Sequence, residues 1–363
     1  MKLKEIIKSL EELAPPMYQE SYDNSGLIVG NVELEVRGAI ISLDATEEVV
    51  QEAIDKGVNL VIAHHPIVFK GLKKFNGSNY VERCIIKAIK HDVAIYAIHT
   101  NLDNVRQGVN EKISDLLNLN DKRILAPKPD LLKKMVFFCP ADAVQDVKSA
   151  IYRAGAGTIG NYDQCSFSVL GEGTFRPLNG ANPAKGIIGK LDSSEELRVE
   201  IIVERHRVSS AEWALKKAHP YEEVAYEIYD VRNEHSRIGS GMVGTISQEV
   251  SLEEFLKMVK TTFKAGCIKY TEFSKPIKTV AVCGGAGGFL LAKAKSAGAD
   301  VFITSDYKYH EFFDAEGEIA ILDIGHYESE QFTKELIMEY VIKKFPKFAA
   351  HLTGVNTNPV KYF

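Results

Sequence analysis

Three continuous apolar runs, GAIISL (38–43), NLVIA (59–63) and VAIYAI (93–98), alternate with stretches of helical period in the first third of the chain. This alternation constrains the fold more than any other feature. After GAIISL, the segment Asp44 to Glu48 reads as the acidic start of a helix. Val49, Val50, Ala53 and Ile54 keep that helix's apolar spacing until Gly57 stops it. The segment 79–91 (YVERCIIKAIKHD) supplies the next helix. Strands joined by single helices run parallel, with right-handed crossovers. The last third repeats the texture, with strands TVAVC (279–283), VFITSD (301–306) and IAILDI (319–324) and helices FLLAKAKSAGA (289–299) and ESEQFTKELIMEYVIKKF (328–345). SLEEFLKMVKTTF (251–263) also resembles the opening LKEIIKSLEELA in pattern. The expectation is an α/β fold in which two related halves form one mostly parallel-sheet domain.

The middle is different. From 125 to 231 the candidate strands MVFFCP, SFSVLGEGTF and LRVEIIVER alternate over longer stretches, and two helical patterns, 141–155 and 209–220, lie between them. Strand–helix–strand–strand–helix–strand is the ferredoxin-like arrangement, so the expected organisation is 1–124 and 232–363 as the two parts of the α/β domain, with 125–231 inserted as a separate α+β domain. A length of 363 residues suits two or three domains. With 45% apolar and 26% charged residues the chain is ordinary globular material, and a net charge of −5 argues against a nucleic-acid binder. No apolar run approaches the ~18 residues of a membrane span, and the amphipathic start MKLKEIIKSLEELAPP has no signal-peptide apolar region. Five scattered cysteines without a CxxC pair fit a reducing compartment, so the expected location is the cytoplasm.

Chemistry-bearing residues gather in three places. His64-His65-Pro66 follows NLVIA, His99 to Asp103 (HTNLD) follows VAIYAI, and His326 to Glu330 (HYESE) follows IAILDI. In a parallel α/β sheet the carboxyl ends of the strands are where ligands collect. His326 and Glu330 are i, i+4, so a helix starting there projects both from one face. His64 and His65, adjacent just past a strand end, point to different sides and can serve two neighbouring ions. Imidazole suits zinc, iron, nickel or manganese, and a carboxylate such as Glu330 can bridge two ions. A mixed His/Asp/Glu set without thiolate belongs to a catalytic centre with open positions, and two close ions activate a water and hold an oxyanion or phosphate. A single strand-end histidine is more often capped or solvated, but three clusters at three strand ends favour ligation.

Other motifs leave alternatives open. Gly284, Gly285, Gly287 and Gly288 lie in a strand-to-helix loop that is either a tight turn or a phosphate cradle of backbone N–H groups. GSGMVG (239–244) matches GxGxxG, but without a strand before it and a helix directly after it the dinucleotide reading is discarded. Thr304-Ser305-Asp306 with Lys308 and His310 is either a capping turn or a source of polar contacts and a general acid/base. His219-Pro220-Tyr221 is explained equally well by a helix terminus followed by a strand.

Taken together, YDNSGLIVG (22–30), AHHP (63–66), HTNLD (99–103), CGGAGG (283–288), TSDYKYH (304–310) and GHYESE (325–330) resemble the GTP cyclohydrolase 1 type 2 homologues, the NIF-three-like dinuclear metal family. The likeness covers essentially the whole chain. GNYDQCSF (160–167) and HPYEEVAYEIYD (219–230) resemble the PII- or CutA-like insert of the longer, YqfO-type members. The resemblance implies two divalent ions per chain, zinc first, with iron, manganese or nickel as alternatives. One ion would take His64, Asp103 and Glu330; the other would take His65, His326 and Glu330. His99 would be a catalytic neighbour. Ser305 stands where the family's pattern has a glycine before the aspartate. A homohexamer is implied, and so is opening of the GTP imidazole ring with formate release to give dihydroneopterin triphosphate. The same centre also suits a phosphoesterase, and a non-enzymatic regulatory ring that senses a ligand through its insert is the competing class.

Overall fold

The apolar runs of the first third become the strands of one sheet. In chain order the elements are α1 (Leu3–Leu13), β1 (Gly26–Val29), β2 (Ala39–Asp44), α2 (Glu47–Asp55), β3 (Leu60–His65), α3 (Tyr80–Lys90), β4 (Ala94–Ala97), α4 (Thr100–Asp103), α5 (Val109–Leu116) and β5 (Asn120–Pro127). All of β4, and all but the last residue of β2 and β3, is buried. Strands covered on both faces need apolar side chains at every position, hence the unbroken runs. The helices between them start at side-chain caps: Thr46 accepts from the Val49 N–H at α2, and Asn79 accepts from the Glu82 N–H at α3. Their apolar faces pack on the sheet, with Val49, Val50 and Ala53 meeting Cys84, Ile85 and Ala88 in one core.

The computed structural model describes residues 1–363 and divides into two units, Met1–Ala126 with Arg237–Phe363, and Pro127–Ser236. The second unit comprises β6 (Leu132–Cys139), α6 (Val144–Arg153), β7 (Phe167–Phe175), β8 (Asp192–Glu204), α7 (Val208–Ala218) and β9 (Tyr226–Asp230). Its four strands form an antiparallel sheet in the order β7, β8, β6, β9. Met135 and Phe137 of β6 and Val199, Ile201 and Val203 of β8 share a core with Val147 and Ile151 of α6 and Ala211 and Leu215 of α7.

The chain then adds β10 (Gly239–Val250), α8 (Leu252–Thr262), β11 (Lys269–Tyr270), β12 (Ile277–Val282), α9 (Leu291–Ser296), β13 (Val301–Thr304), β14 (Ala320–Asp323), α10 (His326–Glu330), α11 (Thr333–Lys344) and β15 (Ala350–Leu352) to the first unit. Two sheets, not the single one expected, build that unit: β1, β4, β3, β2, β15 and β11, β14, β13, β12, β10, β5. The reason lies at the edges. β10 and β11 pair antiparallel with β12 and β14, so the second sheet is mixed. The two parts of the chain also exchange strands: β15 lies parallel to β2 in the first sheet, and β5 closes the second. GSGMVG turns out to lie inside β10, with Gly241 at φ +67°. The expected helix 328–345 is broken into α10 and α11, and α10 begins at His326 directly after Gly325, at φ +95°.

Candidate metal centre

β3 ends in His64 and His65, and its neighbours deliver the groups that orient them. His64 is fully buried, and its Nδ1 donates to the Ile98 carbonyl at 2.8 Å. A carbonyl only accepts, so Nδ1 carries the proton and Nε2 keeps its lone pair. His65 is in register with Asp44 across β2 and β3, and its Nδ1 lies 2.7 Å from Asp44 Oδ1. After β4, His99 Nδ1 meets Asp23 Oδ1 at 2.7 Å. At the start of α10, His326 Nδ1 meets Asp306 Oδ2 at 2.6 Å. All four imidazoles are therefore held at Nδ1 by a carbonyl or carboxylate, the arrangement that presents Nε2 to a metal.

Glu330 sits where these Nε2 atoms converge, 3% exposed. Its Oε2 lies 2.9 Å from His65 Nε2 and 3.1 Å from His326 Nε2, while its Oε1 lies 3.9 Å from His64 Nε2. Asp103, at the end of α4, places Oδ1 3.5 Å from His64 Nε2. The donor atoms form three groups, His64/Asp103/Glu330, His65/His326/Glu330 and His64/His65/His99, each spanning no more than 4.8 Å and each able to hold a metal ion.

The electrostatics suit a cation. Nε2 of His64 and Oδ1 of Asp103 are buried without a hydrogen-bond partner, and burying an unpaired acceptor costs about 1–3 kcal/mol. Burial holds the His64 pKa down to about 3, so it stays neutral and cannot supply a proton to Asp103. Burial, and then the Glu330 charge, push the Asp103 carboxyl well above its ordinary value. Burial opposes charging His65 and His326 as well. For His65 the hydrogen bonds to Asp44 and Glu330 outweigh it and raise the pKa to about 9; for His326 the Glu330 charge and the bond to Asp306 raise it to about 11. Burial would raise Glu330, but His326 and His65 hold its carboxyl well below the ordinary value. A divalent ion between the same atoms would leave neither acceptor orphaned. Three imidazole nitrogens and two carboxylates without a thiolate fit such an ion.

The glycine loop serves this centre in a way the sequence did not disclose. The N–H groups of Gly284, Gly285 and Gly287 donate to Asn110 Oδ1, Ser329 Oγ and Thr304 Oγ1, at 3.0, 3.0 and 2.9 Å. These three N–H groups are committed within the chain. What needs glycine is space: a Cβ on Gly285, at φ +62°, would lie 2.5 Å from Glu330 Oε1. His310 is not brought to the cluster. It is exposed on a 3-10 turn, Tyr309–Ala315, with its ring stacked on Phe313, because Asp306 takes φ +59° and turns the chain outward after β13. His219 accepts at Nδ1 from the Tyr221 N–H and donates from Nε2 to the Phe138 carbonyl, a satisfied structural histidine. Sequence reasoning gave no role to Asp44, read as part of a helix start, nor a specific one to Asp23 and Asp306. A strand-end acid one register step from a histidine is the signal that picks out Asp44.

A cavity of about 680 Å³ opens over the cluster, lined by His65, His99, Asp103, Gly284, Gly285, His326 and Glu330 among others. No helix is long and apolar enough to cross a membrane.

Comparisons with known proteins agree over the full length. The family model described as Duf34/NIF3 (NGG1p interacting factor 3) matches residues 1–359. A protein of Halalkalibacterium halodurans named GTP cyclohydrolase 1 type 2 homolog is 38% identical over 364 residues, which is 98% of each chain. The protein of the same name from Bacillus subtilis is 38% identical over 335 residues, 92% of this chain and 90% of that one. The crystal structure of a Bacillus cereus protein related to NIF3 matches with a TM-score of 0.88 at 36% identity, covering 100% of this chain and 99% of that one. With a family model spanning nearly every residue and relatives above 30% identity at full length, the chain belongs to the DUF34/NIF3 family.

Proposed function

We propose that this chain is a metal-dependent hydrolase that works with two divalent ions. His64, Asp103 and Glu330 Oε1 would hold one ion, and His65, His326 and Glu330 Oε2 the other. The observation that carries this reading is the pair of buried, partnerless acceptors, His64 Nε2 and Asp103 Oδ1, beside Glu330, with Asp103 and Glu330 lining a substrate-sized cavity. Ions bound there lower the pKa of a water and polarise an electrophile. The chain's own groups do the rest. Asp44 and Asp306 fix the tautomer of His65 and His326 through Nδ1. Asp23, which also accepts from the Thr100 hydroxyl, fixes His99 in the same way, so His99 Nε2 is the group placed to move a proton beside the reacting atoms. Zinc is the first ion to test, then iron, manganese and nickel.

The name of the relatives supplies the first substrate, GTP: water opens the imidazole ring, formate leaves, and the remaining atoms close to dihydroneopterin triphosphate with net uptake of one water. We read the unit Pro127–Ser236, with its β-α-β-β-α-β order and its sheet order β7, β8, β6, β9, as an inserted ferredoxin-like domain, PII- or CutA-like. The assembly is a cytoplasmic homohexamer in this reading. The decisive experiment is mass-spectrometric product analysis of metal-loaded protein with GTP, beside Glu330→Ala. Formate and a pterin triphosphate from the wild type alone support the reading. No product from wild type, with metal bound, removes GTP and moves the search to phosphoesters. A second, regulatory reading draws on a cavity of about 550 Å³ within the Pro127–Ser236 unit, where Phe138, Phe175 and Leu178 stand beside Arg176 and Lys185 and beside Glu196, Glu222 and Glu223. That apolar wall with charges of both signs suits a small amphipathic ligand.

A further inference from the structure

We propose that the cavity over the metal cluster recognises a flat, uncharged ring of its ligand and leaves any phosphates outside. The reaction at that ring rests on the hydrolase reading; the recognition does not.

Size comes first. About 680 Å³ accommodates a nucleoside-sized molecule. The wall then decides the chemistry. Tyr22, Phe69, Tyr80 and Phe289 line the cavity and are 68%, 53%, 63% and 68% exposed. A chain that buries Tyr96, Phe137 and Phe302 almost completely leaves these four aromatic side chains without a core partner. Aromatic faces left open around one concavity are stacking platforms for a planar ligand. Phe69 stands edge-on to the His99 ring, centroids 5.6 Å apart, which places this wall directly beside the cluster. A ring stacked there lies against the atoms of the centre.

The charged lining comes next. No lysine or arginine lines the cavity; its charged lining is Glu20, Asp44, Asp103 and Glu330 with the histidines. Asp23 and Asp306 stand behind His99 and His326. A triphosphate, about four negative charges at neutral pH, therefore meets no lysine or arginine in this lining. In the glycine loop the N–H groups of Gly284, Gly285 and Gly287 are already bonded within the chain. Lys70, Lys73 and Lys74 are exposed on the loop between Phe69 and Tyr80 and are not part of the lining.

The test is equilibrium dialysis of the metal-loaded protein against guanosine, adenosine, cytidine and GTP at physiological ionic strength, with metal content measured before and after. At least one nucleoside is expected to be retained, and GTP to bind within about threefold of guanosine. The double variant Phe69→Ala/Tyr80→Ala should lose at least tenfold in nucleoside affinity with its metal content unchanged. GTP binding tenfold or more tighter than every nucleoside, no nucleoside retained, or a double variant that binds like wild type would each overturn the proposal. The two readings fail separately. A retained nucleoside with no turnover of any nucleotide sinks the hydrolase reading alone. Turnover of GTP without retention of any nucleoside sinks the ring-recognition proposal alone.

Discussion

A methyl group added at Gly285 would sit 2.5 Å from Glu330 Oε1, and neither side can yield, since Glu330 is pinned by His65 and His326 and the loop by its bonded N–H groups. Gly285→Ala is therefore expected to push Glu330 out of the cluster, lower the metal content by half or more and cut turnover over tenfold. Alanine in the left-handed region also costs about 1–2 kcal/mol by itself. Gly298→Ala is the control: it sits at φ +74° with nothing within 4 Å, so it carries the same backbone cost without touching the site. Mass-spectrometric metal analysis of both variants separates the two effects, and equal metal loss in both would refute the space argument. The same residue scale shows what the sequence could and could not disclose. His64, His65, Asp103, His326 and Glu330 are legible because each follows an apolar run closely. Asp44, Asp23 and Asp306 are not, because a lone acid after a strand also reads as a helix cap or a turn. Only the register that puts Asp44 beside His65, and the fold that puts Asp306 beside His326, tell them apart.

At the scale of elements, β15 is a three-residue strand holding the end of the chain to the first sheet, and a strand so short needs help from side chains. Glu52 of α2 gives it, accepting from the Thr353 hydroxyl at 2.5 Å, the Gly354 N–H at 3.0 Å and Lys56, just past the end of α2, at 2.9 Å. Partial burial alone would raise the Glu52 pKa, but these donors outweigh it and hold it below the ordinary 4.5. A carboxylate with a depressed folded-state pKa stabilises the fold fully above its unfolded value and loses that contribution as pH falls through the folded one. Glu52→Gln should therefore cost about 2 kcal/mol near pH 7, with the gap from wild type closing as pH drops below 4.5. Denaturant titrations at a series of pH values check this; a gap independent of pH would assign the loss to packing instead. Element boundaries were legible where periodicity is strong. β10 escaped because its glycines lower strand propensity and invite a nucleotide-loop reading, and because Gly241 at φ +67° interrupts the pattern from within. The pairing of β15 and β5 with sheets built from the other part of the chain was not legible either, since the partner of an edge strand is set by tertiary docking.

At the scale of the whole molecule, every residue of the cluster and every residue lining its cavity belongs to the unit Met1–Ala126 with Arg237–Phe363. The intervening unit has a core of its own, from Met135 to Leu215. Its pattern differs from the flanks because β8 buries alternate residues, one face only, where β2, β3 and β4 bury both. The chain leaves the first unit along β5 and returns along β10, and those two strands are neighbours in one sheet. Joining them is a hairpin problem, and a linker of about five glycine and serine residues suffices. Replacing Pro127–Ser236 by such a linker should give a folded protein with the metal content of wild type and turnover or nucleoside retention within about twofold. Circular dichroism and a cooperative thermal transition establish that the shortened chain folds before either comparison is made. If it folds but loses its metal, the inserted unit supports the centre in a way its residues do not reveal, and the placement of all the chemistry in one unit is wrong. If metal and turnover persist while the response to a small amphipathic ligand disappears, the cavity around Phe138 and Phe175 carries regulation, and the two units divide chemistry from control.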